Sequence, residues 1–282
     1  MPPPPTIARL ATSAELQPSV GDSVAAGEGN PGPKGTWRDP GGQCHRSPVA
    51  APRVAALEFE WSDPQTSVTF VTLACTGARI QRTQGEAQPI PGKVLLDPSP
   101  AAKSQFQQAD EFLPPGRKAD AILISVGAND IRFSKVLTFC LASSLFRIPP
   151  CFDLPYRGAA SLDLLVRQRI ADLPPSYDAL ANRIARDPVA GNAPVFITEY
   201  FDPMHGANAQ PCRIDGILRK TVAAWAYDRL LDLNDQVRQA AQQHGWTYVG
   251  NIATRFLRHG YCAGRDSWVH QIIGGLFRKG GL

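Results

Sequence analysis

The sequence lacks several features that would assign a protein to a broad class at once. No apolar stretch approaches the ~18 residues that a helix needs to cross a bilayer. The net charge of +4 is small, and no run of lysine and arginine forms a basic patch, which argues against nucleic acid as a partner. There is no Cys-x-x-Cys pair and no cysteine–histidine spacing typical of zinc sites, so we expect no metal.

The start of the chain, MPPPPTIARLATSAEL, has no basic segment followed by an apolar one, and therefore does not look like a secretory signal peptide. Residues 1–16 lack a periodic apolar pattern, and we expect a disordered, proline-rich tail there, followed by a single domain over residues 17–282. The even number of cysteines, 6, fits three disulfides and an oxidising compartment. Two possibilities stay open at this point: a signal peptide is missing from this chain, or the cysteines remain reduced.

Short apolar strands alternate with helices along the sequence. The strands are rich in β-branched and aromatic residues and are bounded by turn residues, and they fall at 67–75, 119–127, 193–200 and, more weakly, 246–250. Apolar residues spaced three and four apart predict a helix within 214–244 that ends at Gly245, and Ser47 is placed to cap another helix. Continuous apolar strands separated by helices predict an α/β fold with a parallel sheet covered on both faces.

Three small-residue motifs stand where predicted strands end. Ser23 lies in Gly-Asp-Ser, Gly77 lies in Cys-Thr-Gly-Ala, and Asn129 lies in Gly-Ala-Asn-Asp. Because the carboxyl ends of parallel strands share one edge of a sheet, we expect the three loops to lie together. A serine nucleophile needs a base for its proton and prearranged donors for the tetrahedral intermediate. The backbone N–H groups of Ser23 and Gly77 and the side-chain amide of Asn129 are candidates for those donors.

The same residues also permit structural roles. Ser23 could be an ordinary helix cap, and the Asn129 amide could merely bond its own loop. We expect Asp22 and Asp130 to brace their loops rather than to catalyse. The segment before Ser23 is a poor strand, because Pro18 normally confines a strand to an edge or to its first position.

The motifs, taken in order, resemble the SGNH, or GDSL, hydrolase family of esterases and lipases. The segments GDSVAAGEGNPGP, CHRS, ACTGA, ITEYFDP and HGYCA are similar to the secreted actinobacterial-type branch, and the resemblance covers roughly residues 20–275. It implies a three-layer α/β/α, flavodoxin-like fold and an acyl-enzyme on Ser23 that cleaves carboxylic esters. It also implies an oxyanion hole from Ser23, Gly77 and Asn129, and no cofactor.

The resemblance further implies a disulfide pattern. The expected pairs are Cys44–Cys75, Cys140–Cys151 and Cys212–Cys262. Because disulfides form in oxidising compartments, these pairs favour the possibility that a signal peptide is missing over the possibility that the cysteines remain reduced. We therefore expect a secreted or periplasmic location. Each bridge should stabilise the fold by roughly 3 to 4.5 kcal/mol in the loop-entropy model.

The family's catalytic base is a histidine near the C-terminus, usually followed by proline and preceded by aspartate three residues earlier. This sequence ends in HGYCAGRDSWVHQIIGGLFRKGGL, without a His-Pro pair. His270 is the candidate base and Asp266 its candidate partner; in a helix the two would share a face, although the alternative is a surface ion pair. We expect that the domain is truncated or frame-shifted at this end.

The other four histidines are expected to be structural or merely exposed. His45 is interpreted as a loop residue, His205 as an exposed residue that could instead line the substrate mouth, His244 as a favourable charge at a helix C-terminus, and His259 as structural.

The function predicted from the sequence is therefore hydrolysis of a small-molecule, lipid or glycan ester. The alternative is an SGNH-like fragment or ligand-binding protein that is inactive because it lacks the histidine. Nothing in the sequence indicates the acyl length, the alcohol or the oligomeric state.

Overall fold

The structure is a computed structural model that describes residues 13–30, 42–82, 91–97, 102–113, 116–146, 148–214 and 216–269. The strands are β1 (Ser13–Gly21), β2 (Thr66–Thr72), β3 (Ile122–Ser125), β4 (Val195–Thr198) and β5 (Thr247–Val249). The helices are α1 (Ser23–Ala26), α2 (Ala51–Ser62), α3 (Gln105–Phe112), α4 (Phe133–Leu145), α5 (Leu162–Ala171), α6 (Pro174–Arg186), α7 (Lys220–His244) and α8 (Ile252–Phe256).

The five strands form one parallel sheet in the order β2-β1-β3-β4-β5. The connection from β1 to β2 moves toward one side of the sheet, whereas the later connections, from β2 to β3, β3 to β4 and β4 to β5, move toward the other side. Because crossovers between parallel strands are right-handed, α2 lies on one face of the sheet. The same rule places α3, α6 and α7 on the other face. The fold is therefore the three-layer α/β/α arrangement predicted from the alternating pattern, and all carboxyl ends of the strands point to one edge.

β1 lies inside the sheet, between β2 and β3, although it contains Pro18. The backbone groups of Leu16 face β3, since Leu16 O accepts from Asp120 N, and Pro18, two residues on, faces the same way. Pairing with β3 begins only at Ser19, so the missing N–H of Pro18 falls at the very start of that ladder. The expectation that proline would confine this strand to an edge was wrong for this reason.

Two boundaries differ from those predicted. β1 begins at Ser13, so residues 13–16 are strand and not part of the expected tail over residues 1–16; residues 1–12 lie outside the described part. α2 begins at Ala51, with Ala50 as its N-cap, and not at Ser47. The Ser47 hydroxyl accepts instead from Val49 N, in a turn that precedes the helix.

The remaining helix and strand predictions are confirmed. The predicted strands at 119–127, 193–200 and 246–250 contain β3, β4 and β5, and β2 overlaps the predicted 67–75 but begins one residue earlier and ends at Thr72. α7 lies within the predicted 214–244, begins at Lys220 and is followed by Gly245 in the left-handed conformation, with φ 69°. The disulfides Cys44–Cys75, Cys140–Cys151 and Cys212–Cys262 are formed as the resemblance implied. Within the part of the chain that the structure describes, no helix combines the length and apolarity required to span a bilayer.

Candidate active site

Ser23 is the first residue of α1, at the carboxyl end of β1. The cap of this helix is Asp22, whose Oδ1 accepts from Val24 N at 2.9 Å, so Ser23 is not the cap that the sequence also allowed. Ser23 is half-buried, and its Oγ makes no hydrogen bond to any residue in the described ranges. Its N–H also has no partner inside the helix, because it belongs to the first turn. Both groups are therefore free to act on a ligand.

Gly21 lets the Ser23 turn approach the neighbouring strand closely. A Cβ atom on Gly21 would lie 2.1 Å from the backbone oxygen of Ser125, and the residue has φ 137°, in a region that favours glycine. The close approach allows Asp22 N to donate to Ser125 O at 2.9 Å. The turn that carries Ser23 is thus attached directly to the end of β3.

Gln105, the first residue of α3, fixes the same turn from the side. Its amide is completely buried, accepts from Gly21 N at 2.7 Å and donates to Gly21 O at 2.8 Å. A further donation at 2.8 Å reaches Gly92 O. Gln105 could not be recognised from the sequence, because 84 residues separate it from Gly21 and no local pattern marks the contact.

Gly77 and Asn129 come from two loops that the structure brings into contact. The Asn129 side-chain amide donates to Ala78 O at 3.1 Å, so it bonds the neighbouring loop and not its own. Gly77 is exposed, has φ 78° and shows no backbone hydrogen bond at its N–H within the described residues. The Asn129 amide therefore lies beside a loop that still has a free donor.

Tyr200 connects the turn that carries Ser23 with the loop that carries Asn129. Its hydroxyl donates to Asp22 Oδ2 at 2.6 Å and accepts from Ala128 N at 3.0 Å. Asn234 on α7 holds the Tyr200 backbone from behind, with its side chain bonded to both Tyr200 N and Tyr200 O. These contacts tie the ends of β1, β3 and β4 into one rigid unit.

The two motif aspartates brace their loops, as expected. Burial raises the pKa of Asp22 to about 7, against the lowering effect of the Tyr200 hydroxyl and the Val24 N–H. Burial likewise raises the pKa of Asp130 to about 7, while its carboxylate accepts from Ile80 N at 3.0 Å. Asp130 thereby holds the chain that follows Gly77 in place through Ile80.

Glu28 connects the loop that contains His45 with the loop that contains Thr76. Its Oε2 lies 2.5 Å from His45 Nδ1 and also accepts from the Thr76 hydroxyl. Thr76 immediately precedes Gly77, and Glu28 N donates to Ser23 O at 2.8 Å. His45 is thus a loop residue with a structural contact, as expected from the sequence.

His205 is buried and paired, which corrects the expectation that it is exposed. It is 4% exposed, and its Nδ1 lies 2.6 Å from Oδ2 of Asp202, which is completely buried. The ring packs edge-on against Tyr227 of α7, with 4.4 Å between ring centroids. The Asp-x-x-His spacing of the segment FDPMHG was the available signal, but the glycine- and asparagine-rich sequence after it favoured exposure.

The C-terminal candidates are only partly within the described residues. His270 lies outside them. Asp266 ends a short 3-10 turn (Gly264–Asp266), and the chain from Ser267 to Val269 is not helical, so the helical pairing of Asp266 with His270 has no support from the described geometry. The backbone oxygen of Asp266 lies 2.7 Å from Nδ1 of His259, which stacks on Trp268 at 3.8 Å, and this agrees with a structural role for His259.

The fold and the motif loops place the chain among α/β/α proteins that bind ligands at the carboxyl edge of a parallel sheet. Residues 19–274 match the GDSL-like Lipase/Acylhydrolase family. The chain belongs to this family. Its described residues contain no cluster of histidine, cysteine, aspartate and glutamate that could hold a metal ion.

Known relatives agree with this assignment. The chain is 26% identical to Lipase 1 of Streptomyces coelicolor over 269 residues, which cover 93% of this chain and 81% of that protein. It is also 26% identical to a lipase of Streptomyces rimosus, over 90% of this chain and 75% of that protein. Among solved structures, phospholipase A1 from Streptomyces albidoflavus NA297 is 21% identical, with a TM-score of 0.59 over 92% of this chain and 88% of that chain.

Proposed function

We propose that this protein hydrolyses carboxylic esters through an acyl-enzyme formed on Ser23. The observation that carries the proposal is the division of roles at the nucleophile turn: Asp22 caps α1, and the half-buried Ser23 hydroxyl remains without a hydrogen bond among the described residues. A serine serving only as a cap would have its oxygen on the helix N–H groups. Membership of a lipase and acylhydrolase family supports the same reaction.

In the first step, Ser23 Oγ attacks the carbonyl carbon while an imidazole takes the hydroxyl proton. The carbonyl oxygen becomes an oxyanion that receives hydrogen bonds from Ser23 N, Gly77 N and the Asn129 amide. Collapse of this intermediate breaks the bond to the alcohol, which leaves with the proton from the imidazole. Water then attacks the acyl-enzyme by the same route and releases the carboxylic acid, so no cofactor is consumed.

For the base we propose His270, with Asp266 as its carboxylate partner. A specific observation favours His205 as the competing candidate, because its Nδ1 is already bonded to the buried Asp202 carboxylate at 2.6 Å. A carboxylate on Nδ1 leaves Nε2 as the nitrogen that exchanges a proton with serine. The two assignments are separable by substitution.

The test is hydrolysis of a soluble short-chain nitrophenyl ester by single variants of the full chain. Ser23→Ala should lower kcat on the order of a million-fold, and Asn129→Ala about 100- to 1000-fold. His270→Ala should match Ser23→Ala, while His259→Ala should retain activity. Loss of turnover in His205→Ala, with His270→Ala active and both folded, would instead assign the base to His205.

An alternative is that the chain only binds an ester. In that case the wild-type chain would show no turnover and no covalent labelling of Ser23 by a fluorophosphonate. Labelling that disappears in Ser23→Ala would exclude this alternative, even where turnover is slow.

We also propose that the protein acts outside the cytoplasm on lipid esters. Three disulfides favour an oxidising compartment, and the similar S. rimosus structure is described as an extracellular lipase. Alkylation of the protein purified from its natural location, without reductant, should add no mass to the six cysteines. A gain of six alkyl groups would contradict the oxidising location.

A further inference from the structure

We propose that Lys93 is a positioning residue of the proposed oxyanion hole, and that it orients and polarises the peptide bond between Thr76 and Gly77. The N–H of Gly77 belongs to this peptide bond, and the ammonium group of Lys93 donates to its carbonyl oxygen, Thr76 O. The inference rests on the proposed function, because it explains how one of the three proposed donors is held and strengthened.

The other polar groups of Thr76 are bonded within the protein. Thr76 N donates to Cys44 O at 3.1 Å, and the Thr76 hydroxyl donates to Glu28 Oε2. Since Lys93 occupies Thr76 O, the Gly77 N–H is the group of this peptide bond that has no hydrogen-bond partner among the described residues. Gly77 is exposed, so its N–H is accessible to a ligand.

Lys93 lies on the carbonyl side of this peptide bond. Its Nζ is 3.8 Å from the position that a Cβ atom on Gly77 would occupy. Because a trans peptide bond is planar, its carbonyl oxygen and its N–H point in opposite directions. The bond from Lys93 to Thr76 O therefore fixes the direction of the Gly77 N–H and leaves the N–H side open to substrate.

Further contacts hold the lysine itself in place. The backbone oxygen of Lys93 accepts from Arg79 N at 3.1 Å, beside a parallel bridge between Arg79 and Val94. At the other end of the side chain, Nζ also donates to Gln43 O at 3.2 Å. The side chain is thus held at both ends, and its charge stays at Thr76 O.

A cation bonded to a peptide oxygen makes the N–H of the same peptide a stronger donor. Hydrogen bonds in a chain polarise one another, and bonds that involve a charged group are roughly twice as strong as neutral ones. In the proposed reaction, negative charge develops opposite the Gly77 N–H only when the substrate carbonyl becomes an oxyanion. Because the neutral carbonyl of the bound ester gains much less, Lys93 should act on kcat and not on KM.

The first test compares variants of the full chain on a soluble short-chain nitrophenyl ester. Lys93→Met keeps the length of the side chain but removes its charge, and should lower kcat about 10-fold at an unchanged KM. Lys93→Arg retains a charged donor and should recover most of this loss. Lys103→Met is the matched control, because the Lys103 ammonium pairs with Glu111 at the surface, and it should behave like the wild type.

Hydrogen exchange of the Gly77 amide, measured by NMR, gives a readout that needs no turnover. Base-catalysed exchange passes through the anion of the peptide group, which a cation at the peptide oxygen stabilises. Lys93→Met should therefore slow exchange at Gly77 about 10-fold, equivalent to about one unit in the pKa of the N–H. Lys93→Arg and Lys103→Met should exchange at the wild-type rate. Mere loosening of the loop would instead speed exchange at the bonded amides of Thr76 and Ala78.

The outcomes separate this inference from the proposed reaction. All variants should keep the wild-type thermal unfolding. Unchanged exchange at Gly77 in Lys93→Met would overturn the inference whatever the value of kcat, and so would faster exchange at Thr76 and Ala78, which indicates a merely structural lysine. A wild-type chain without turnover would refute the reaction, and the exchange rates alone would then decide whether Lys93 polarises the Gly77 N–H.

Discussion

Replacing Asp22 with asparagine tests how the turn that carries Ser23 is stabilised. Asp22 is completely buried, and burial raises the pKa of its carboxyl from 3.8 to about 7. Between these two values the folded protein binds a proton that the unfolded chain has released. The free energy of unfolding must therefore fall as the pH rises through this range, because the folded state carries more protons. Above about pH 7 the full penalty of the buried charge is present.

The size of the effect follows from the same quantities. The difference between 3.8 and about 7 corresponds to about 4 kcal/mol of stability lost between pH 4 and pH 8. Asparagine removes this loss but leaves one buried hydrogen-bonding group unsatisfied, since its amide cannot both accept from Val24 N and accept from the Tyr200 hydroxyl. An unsatisfied buried group costs about 1–3 kcal/mol. At pH 5 the wild type has already lost between about 1 and 2 kcal/mol of its stability, so Asp22→Asn should be about as stable as the wild type there. It should be less stable than the wild type below about pH 4 and about 2 kcal/mol more stable at pH 8.5.

Urea unfolding of both proteins from pH 5 to pH 8.5 measures this divergence. Asp130 titrates in the same range, because burial raises its pKa to about 7 as well, so only the difference between the two proteins isolates Asp22. Asp63→Asn is the control: hydrogen bonds from Gln65 N and Thr66 lower the pKa of Asp63, and its titration lies below the range studied. Parallel stability curves for the wild type and Asp22→Asn would refute the reasoning.

Three other predictions follow from the contacts of the site. Gln105→Leu should lower the free energy of unfolding by about 3 kcal/mol, because it leaves the buried Gly21 N–H and other partners without hydrogen bonds, whereas Gln108→Leu should change it little. Equal losses of unfolding free energy for both variants in a urea titration would contradict the role of Gln105 in holding Gly21. Replacing both Cys212 and Cys262 with serine should lower the free energy of unfolding by about 4 kcal/mol, because the bridge joins residues 50 positions apart. A decrease below about 1 kcal/mol, measured by calorimetry, would contradict this prediction. If a histidine-to-alanine variant loses turnover, added imidazole should restore part of its rate, in proportion to the concentration of unprotonated imidazole. If imidazole also restores the rate when Ser23 is replaced by alanine, an acyl-enzyme on Ser23 is excluded.

The sequence predicted the elements whose evidence is local. β2 to β5 are continuous apolar runs, and the motif loops follow strands, so the edge that carries Gly77 and Asn129 could be inferred before the structure. The flavodoxin-like fold came from the family resemblance, and the strand order came from the structure, since periodicity does not determine which strands are neighbours. β1 was underestimated, because the cost of Pro18 depends on where the β3 ladder begins. His205 was misjudged, because its burial depends on the distant Tyr227.

The contacts that make the site rigid were the part least accessible to prediction. Tyr200 and Asp22 are 178 residues apart, and Gln105 and Gly21 are 84 apart, so no short window of sequence contains either pair. Each contact also needs a buried polar group with a matched partner, and burial is a property of the finished fold. A motif search therefore recovers the groups that face a substrate more readily than the groups that hold them.

Because of the buried aspartates, the stability of the fold and the rate of turnover should change in opposite directions as the pH rises. A histidine base must be unprotonated to accept the proton of Ser23, and with an ordinary pKa it becomes so above about pH 6.5. Over the same range Asp22 and Asp130 become charged, since burial raises the pKa of each to about 7, and the fold loses the stability that their protonated forms contribute. Turnover per folded molecule should then keep rising with pH while the folded fraction under mild denaturing conditions declines. Total activity is greatest at the pH where the rise in turnover is balanced by the fall in the folded fraction. Asp22→Asn should move this optimum to higher pH, because it weakens the fall in the folded fraction and leaves the rise in turnover unchanged.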